Sequence, residues 1–268
     1  MATAPSIERP AGERQMGRVV VGIGGWDFAP WKGTFFPAKL PAARQLAYVG
    51  ETLTATEVNG TFYRTQTPAI FAKWRAEVPD CFVFSLKTHR AATQRRDLTA
   101  TYPAVTRFLY SGLTELQDRL GALVWQFLPS LPFERETLAP WLDQLPAALE
   151  GVRLRHAIEA AHPSFATPEA QALLAERGMT RVLVDTPEHP ATEPLPGPFL
   201  YARLKANAAD APEGYESAAL DRWAGRFACL AVSGQECFVH FIGGDKVRAP
   251  DAARALLRRL SSQKKEPA

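Results

Sequence analysis

Charged and amide side chains stand at the ends of short apolar runs along most of this sequence. They are carboxylates, cations and amides, namely Glu57, Asn59, Lys87, His89, Gln126, Glu159, Asp185, Arg203 and Lys205. A buried charge is destabilising unless it is paired, so the packing of a core does not explain this number of charged side chains. If these side chains converge, they form a pocket that carries charges of both signs.

Such a pocket suits acid–base chemistry on an anion. Lys87, Arg203 and Lys205 would hold the anion, since the arginine fork matches a phosphate. Glu57, Glu159 or Asp185 would act as the general acid or base. The sequence therefore predicts an enzyme for a phosphorylated or otherwise anionic substrate, with hydrolase or isomerase-type chemistry.

A divalent metal is a variant of this hypothesis. The candidate oxygen and nitrogen ligands are Glu57, Glu159, Asp185, His162 and His240. No compact motif such as H-E-x-x-H is present, so no residue is assigned as a metal ligand and a divalent cofactor stays open.

Two other kinds of ligand are compatible with the same residues. The basic side chains Arg90, Arg95 and Arg96, together with the aromatic residues Trp26, Phe28, Trp31, Phe62 and Tyr63, could follow a nucleic-acid backbone and stack its bases. A metal-dependent phosphodiesterase would be the enzymatic form of that alternative. Aromatic faces with paired carboxylates would also suit a carbohydrate, although the excess of basic side chains argues against it.

Each candidate also has a purely structural interpretation. Arg203 paired with Glu159 or Asp185 would be a structural salt bridge, and Gln126 could satisfy backbone groups. His240 alternates with apolar neighbours, which favours a hydrogen-bonded core histidine over a ligand. The segments that carry Trp26 and Tyr63 could simply pack over one end of the fold.

The elements that must position these residues are eight short apolar runs, which read as parallel strands buried on both faces. They are Arg18–Gly25, Ala55–Asn59, Cys81–Lys87, Gly121–Phe127, Leu154–Ala160, Arg181–Thr186, Phe199–Lys205 and Glu236–Ile242. Helical segments are predicted between most of them, at Ala43–Gly50, Pro68–Glu77, Ala104–Leu120, Arg135–Leu145, Pro168–Arg177, Ala218–Val232 and Pro250–Leu260.

Eight strand–helix units in this length predict a single TIM-like (β/α)8 barrel, with its site at the carboxyl ends of the strands. An open doubly wound sheet is the alternative. Five prolines between Pro187 and Pro198 exclude a regular helix there. We therefore expect an imperfect barrel with an extended crossover between strands six and seven.

The barrel domain is expected to span residues 17–261, with disordered tails at 1–16 and 262–268. No apolar run is long enough to cross a bilayer, and the first residues lack the features of a signal peptide. Cys81, Cys229 and Cys237 each lie in an apolar run and are expected to be buried free thiols. These features predict a cytoplasmic protein with no membrane partner.

Several motifs resemble those of the YecE-like family, a domain of unknown function numbered seventy-two. The matching segments are Gly22–Pro37, Thr56–Arg64, Leu123–Ser130, Ala157–Phe165, Asp185 with Pro187, Tyr201–Lys205 and Phe241–Leu256. Each motif is weak alone, but together they cover residues 18–260 in order.

The resemblance implies a β/α barrel and supplies no activity. It also implies a pocket formed by Trp26, Glu57, Asn59, Tyr63, Lys87, Gln126, Glu159, Asp185 and Arg203. The chain departs from the family pattern at Ala161, Lys205, Gly243 and Gly244. These departures put polar contacts from strands five, seven and eight in question.

Overall fold

A computed structural model describes residues 16–191 and 196–263 of the chain. It contains the strands β1 (Val19–Gly24), β2 (Ala55–Val58), β3 (Val83–Lys87), β4 (Leu120–Gln126), β5 (Ala148–Leu149), β6 (Val152–Arg153), β7 (Arg155–Glu159), β8 (Thr180–Arg181), β9 (Leu183–Asp185), β10 (Phe199–Leu204) and β11 (Glu236–Phe241). The predicted tails fall almost entirely outside the described residues.

Seven α-helices accompany the strands. They are α1 (Gln45–Thr52), α2 (Pro68–Ala76), α3 (Tyr102–Leu109), α4 (Arg135–Leu142), α5 (Pro168–Glu176), α6 (Ser217–Val232) and α7 (Ala249–Gln263). Thr167 begins α5 by accepting a hydrogen bond from the backbone N–H of Ala170 at 3.3 Å, and Pro168 takes the first helical position.

The main sheet is parallel throughout and has the order β8-β7-β4-β3-β2-β1-β11-β10-β9. Its two edge strands, β8 and β9, are separated in the chain by Val182 alone. The sheet therefore curls into a nearly closed barrel, and the predicted barrel is confirmed over the open sheet. Strand six enters as two short pieces, so the sheet has nine strands where we predicted eight.

One predicted helix is much shorter in the structure than we expected. The helix expected over Ala104–Leu120 ends at Leu109, because Ser111 and Gly112 follow and Gly112 adopts a left-handed φ of 93°. The chain then continues in 3-10 turns to Arg119.

A small hairpin of β5 and β6 was not predicted. Its turn residues Glu150 and Gly151 have φ values of 49° and 79°.

The proline-rich segment is only partly described. Residues 187–191 and 196–198 contain neither helix nor strand, and residues 192–195 lie outside the described part. The extended crossover therefore stays a prediction.

Two separate apolar cores result from the alternation of side chains along the strands. The larger one packs the outer face of the sheet against the helices. The smaller one contains strand positions such as Val20, Ala55, Val83 and Ala157, together with Val182 between β8 and β9. It has no helical member, so it fills the inside of the barrel. Alternate residues further along the same strands must line the barrel mouth.

The strands approach closely at Gly22 in β1. A Cβ placed there would lie 2.0 Å from the carbonyl oxygen of Ala55 in β2. Only glycine fits this position, which gives the first glycine of the sequence Gly22–Gly25 a structural role. Gly25, the first residue after β1, has a left-handed φ of 76°.

Candidate functional site

The mouth of the barrel is built from side chains that continue the inward-facing series of five strands. Glu57 follows Ala55 by two residues, Lys87 follows Val83 by four, and Glu159 follows Ala157 by two. Gln126 and Arg203 occupy the matching positions of β4 and β10. Gln126 and Glu159 are also direct partners in the register of β4 and β7. The structure places these five side chains at the same end of the barrel.

Arg203 lies at the centre of this mouth. Its Nη2 donates to Glu57 Oε1 at 2.9 Å, and its Nη1 donates to Glu159 Oε2. The side chains of Arg203 and Glu57 are 4% and 0% exposed. Burial alone would lower the pKa of Arg203, but the carboxylates of Glu57 and Glu159 outweigh it and raise that pKa. The guanidinium is permanently charged and shared by two carboxylates.

The carboxylate of Glu57 is closed off from solvent. Its second oxygen, Oε2, accepts a hydrogen bond from the Tyr201 hydroxyl at 2.8 Å. Burial and the charge of Glu57 raise the pKa of that hydroxyl, so Tyr201 stays a donor. Glu57 therefore has both oxygens engaged, and a substrate would have to displace Arg203 or Tyr201 to reach it.

Glu159 lies nearer to the opening. Its Oε1 accepts from Gln126 Nε2 at 3.0 Å and from Lys205 Nζ at 3.2 Å, and the Lys205 side chain is 26% exposed. Burial would raise the pKa of Glu159, but Arg203 and then Lys205 lower it to about 2. Glu159 is thus an ionised acceptor, and the Lys205 side chain that binds it is partly exposed to solvent.

Lys87 is the cation of the mouth that lacks a carboxylate partner. Within the described residues its ammonium makes no ion pair or hydrogen bond, and it lies 4.0 Å from the centroid of the Phe62 ring. Burial and then the positive charge of Arg203 lower the pKa of Lys87. Its backbone is fixed, because Thr61 Oγ1 donates to the Lys87 carbonyl oxygen at 2.7 Å.

The charges of the mouth do not cancel. Lys87, Arg203 and Lys205 supply three positive charges, and Glu57 and Glu159 supply two negative ones. Among these five residues one positive charge is left over, and the half-buried Lys87 is the one that makes no ion pair within the described part of the chain.

His240 lies below the mouth, inside the barrel. Its ring stacks on Tyr201 with a centroid distance of 5.1 Å. It is a core histidine, as expected, but neither ring nitrogen finds a partner among the described residues, which corrects the hydrogen-bonded environment that we predicted. Burial and then the charge of Arg203 lower its pKa to about 3, so the ring is neutral at pH 7.

Asp185 is placed apart from the two glutamates. Its Oδ2 accepts from the Tyr215 hydroxyl, and its Oδ1 accepts from the backbone N–H of Ala191 at 2.7 Å. It lines a separate cleft of about 430 Å³ that includes Trp223 and Pro187. Burial and the hydrogen bond to Asp185 raise the pKa of Tyr215. The carboxylate of Asp185 therefore serves this contact and not the cluster around Arg203.

The two histidines predicted at loop positions act as helix caps. His89 Nδ1 accepts from the backbone N–H of Ala91 at 3.2 Å, at the start of a 3-10 turn. His162 Nδ1 accepts from the N–H of Ser164 at 3.3 Å in the same way. Both side chains satisfy the backbone of the loop that follows their strand.

Three further predicted residues lie around the mouth without joining the charged cluster. Asn59 donates from Nδ2 to the carbonyl oxygen of Glu57 at 3.4 Å. Trp26 packs against Trp74 of α2, with centroids 5.1 Å apart, on the outer face of the sheet. Tyr63 is 68% exposed. Trp26 therefore packs against α2 from the first loop.

No ready-made metal centre is formed by the described residues. Among residues 16–191 and 196–263, no group of three or more His, Cys, Asp or Glu side chains is placed to hold an ion. The five candidate ligands are divided: Glu57 and Glu159 bind Arg203, Asp185 binds Tyr215, His162 caps a turn, and His240 is buried against Tyr201.

The cysteines differ from expectation at two positions. Cys237 in β11 is buried, whereas Cys81 and Cys229 are exposed. Cys81 lies in the turn before β3, and Cys229 lies on an exposed position of α6, so an apolar run in the sequence did not mean burial there. All three are free thiols.

Sequence reasoning missed Tyr201, and it did not foresee the contact between Phe62 and Lys87. Tyr201 precedes Arg203 by two residues in a strand, so the period of two could have placed both inside the barrel. Phe62 was considered only as a surface for stacking bases. No pattern in the sequence pairs it with Lys87, because the contact joins a loop after β2 to the end of β3.

The model of the family "Protein of unknown function DUF72" matches residues 20–268 of this chain. The chain belongs to this family. A solved DUF72 structure from Thermotoga maritima is 25% identical, with a TM-score of 0.69 over 93% of this chain and 100% of that one. A DUF72 structure from Enterococcus faecalis is 21% identical, with a TM-score of 0.68 over 91% and 95%.

A more distant likeness concerns the fold alone. A xylose isomerase-like TIM barrel fused to a 4-hydroxyphenylpyruvate dioxygenase is 14% identical, with a TM-score of 0.51 over 94% of this chain and 45% of that one. No curated protein matches the sequence. Among the described residues of this DUF72 chain, no helix has the length and apolar character needed to cross a membrane.

Proposed function

We propose that this DUF72 chain is an enzyme that binds a phosphorylated or otherwise anionic small substrate at the mouth of its barrel. The observation that carries the proposal is the half-buried ammonium of Lys87, which lacks a carboxylate partner beside an otherwise paired cluster. Leaving a cation in this state is unfavourable, and an incoming anion would relieve it. The proposed enzyme acts in the cytoplasm.

The roles of the residues follow from their exposure. Lys87 and Lys205 would contact the anion, and Glu159 would exchange a proton with the substrate. With a pKa of about 2, Glu159 begins as a base. An anion that draws Lys205 away would raise the pKa of Glu159 and make proton transfer easier. Glu57 acts through Arg203 as a positioning residue, because its own oxygens are engaged.

A second candidate, single-stranded nucleic acid, is favoured by one feature of the same face. The exposed ring of Tyr63 and the exposed arginines Arg90, Arg95 and Arg96 could offer a stacking surface and backbone charge. The affinity of such a complex would fall steeply with salt, because binding releases counterions. A small anion held by two lysines would show a shallower dependence.

A thermal-shift screen tests the proposal. The purified chain would be heated with phosphorylated sugars, inorganic phosphate, divalent metals, and short DNA and RNA strands, at low and high salt. A ligand that binds only the folded state raises the melting temperature. A rise with small phosphorylated compounds that survives moderate salt supports the proposal. A rise confined to oligonucleotides and lost in high salt transfers the function to nucleic-acid binding.

A further inference from the structure

The position of Lys87 suggests a covalent role. We propose that the Nζ of Lys87 forms an imine with an aldehyde or ketone group of the substrate, so that the substrate is an anionic carbonyl compound. This inference rests on the proposed function, since the anion is what brings the carbonyl group to Lys87. It narrows the chemistry from acid–base reactions in general to reactions that proceed through a lysine-bound carbonyl.

The geometry places Lys87 where a carbonyl carbon could approach it. The residue ends β3 on the inward face, close enough to Arg203 and Glu159 for their charges to act on its ammonium. Its ammonium lies over Phe62 and has no carboxylate to hold it among the described residues. The side chain is therefore held by packing, and its nitrogen remains available to a ligand that enters the mouth.

The surroundings favour the reactive form of the amine. A lysine attacks a carbonyl only when it is uncharged, and burial together with a neighbouring cation stabilises that form. Burial and the charge of Arg203 act in this direction on the pKa of Lys87, and Lys205 adds to them. Glu57 and Glu159 act in the opposite direction, but the overall effect is a lowered pKa.

The proposed step balances without an added oxidant or reductant. Lys87 first gives one proton of its ammonium to Glu159. The freed Nζ lone pair then forms a bond to the carbonyl carbon as the C–O π electrons move to oxygen, and a proton transferred from Nζ to that oxygen gives a carbinolamine. The proton held by Glu159 converts the hydroxyl group into water, which leaves as the nitrogen lone pair forms the C=N bond of a protonated imine. Glu159 and Lys205, joined at 3.2 Å, can carry these protons.

Lys246 provides a matched control within the chain. It too is half-buried over aromatic rings, with its Nζ 4.4 Å from Phe28 and 5.4 Å from Trp31. Burial lowers the pKa of Lys246, and Asp27 acts to raise it, whereas Arg203 acts with burial to lower the pKa of Lys87. Aromatic contact alone would make the two lysines equivalent, whereas the proposal requires that they differ.

Pyridoxal 5′-phosphate is a suitable probe, because it carries both an aldehyde and a phosphate. The folded chain would be incubated with substoichiometric probe at pH 7 and at pH 9, then reduced with borohydride to fix any imine. Peptide mapping by mass spectrometry would locate the label in the wild-type chain, in Lys87→Arg and in Lys246→Arg. Parallel samples would contain inorganic phosphate as a competitor.

We expect label at Lys87 to exceed label at Lys246 by about tenfold, to be reduced by inorganic phosphate, and to persist in Lys246→Arg. Mapping of the wild-type chain gives this answer even if Lys87→Arg does not fold. Label spread evenly over surface lysines would overturn the inference. If phosphate then still raised the melting temperature, the proposed function would stand. If phosphate did not raise the melting temperature, both the imine inference and the proposed function would be contradicted.

Discussion

Arg203 and Glu57 are joined by a buried hydrogen bond of 2.9 Å across 146 positions of the chain. Arg203 binds Glu159 with its other terminal nitrogen, so one guanidinium ties β10 to both β2 and β7. This contact holds the barrel mouth in one arrangement. It also leaves Lys87 outside the ion pairs of the described residues.

Replacing Arg203 by leucine should destabilise the fold strongly. Two buried carboxylates would lose their shared partner, and breaking a buried pair in this way typically costs about 3–5 kcal/mol. Urea unfolding followed by tryptophan fluorescence would measure the loss. The exposed pair Arg44–Glu51, at 3.8 Å, is the control, and Arg44→Ala should cost at most about 1 kcal/mol. Equal effects of the two substitutions would refute the central role of Arg203.

Glu159→Gln should bind inorganic phosphate more tightly than the wild-type chain. Removing one of the two carboxylates leaves the mouth with an excess of two positive charges, and frees Lys205 from its 3.2 Å contact. Calorimetric titration should show a gain of roughly three- to tenfold, or about 1 kcal/mol. Weaker binding by a folded variant would mean that Glu159 positions the lysines and that its charge is secondary.

Acid should destabilise the chain in two successive windows. Buried His240 and His156 have pKa values lowered to about 3 and about 4, so below pH 6.5 the unfolded state binds their protons first. Stability is complete above pH 6.5 and falls by up to about 1.4 kcal/mol per pH unit for each histidine. Glu159, with a pKa lowered to about 2, adds a further loss only as the pH falls below 4.5.

His240→Phe separates these contributions. Neither nitrogen of His240 has a partner to lose among the described residues, so the variant should be as stable as wild type at pH 7.5. Between pH 6.5 and 4.5 its unfolding free energy should fall with about half of the wild-type slope. Urea denaturation at several pH values gives both slopes. An unchanged slope would show that His240 does not become protonated on unfolding.

Gly22→Ala should damage the barrel, because the new methyl group would lie 2.0 Å from the Ala55 carbonyl oxygen. We expect a loss of about 2 kcal/mol or more in unfolding free energy. Gly60→Ala is the matched control, since nothing lies within 4 Å of its Cβ position and its φ is not left-handed. Similar stabilities of the two variants would argue against close packing of β1 on β2.

The barrel could be predicted because parallel strands buried on both faces leave a clear signal. Every one of the eight apolar runs contains a strand, and the inward series ending in Glu57, Gln126 and Arg203 follows from the period of two. Helix ends were harder. The run of apolar residues after Leu109 has helical spacing, yet Ser111 and Gly112 end the helix there.

The site was predicted as a set of residues but not as a network. Spacing along a strand shows which way a side chain points, and it does not show which charges pair. Asp185 was grouped with the glutamates, although the Tyr215 hydroxyl and the Ala191 amide bind it elsewhere. The isolation of Lys87 depends on where Arg203 turns its two terminal nitrogens, and only the folded chain reveals that.

Titration of inorganic phosphate into wild-type chain, Lys87→Met and Lys246→Met, by calorimetry at constant ionic strength, tests the central claim most directly. The account predicts saturable binding to wild type and to Lys246→Met, and binding at least about tenfold weaker to Lys87→Met, a difference of about 1.4 kcal/mol. Circular dichroism would confirm that both variants are folded. Equal affinities of all three chains, or binding lost in Lys246→Met alone, would contradict a site at Lys87.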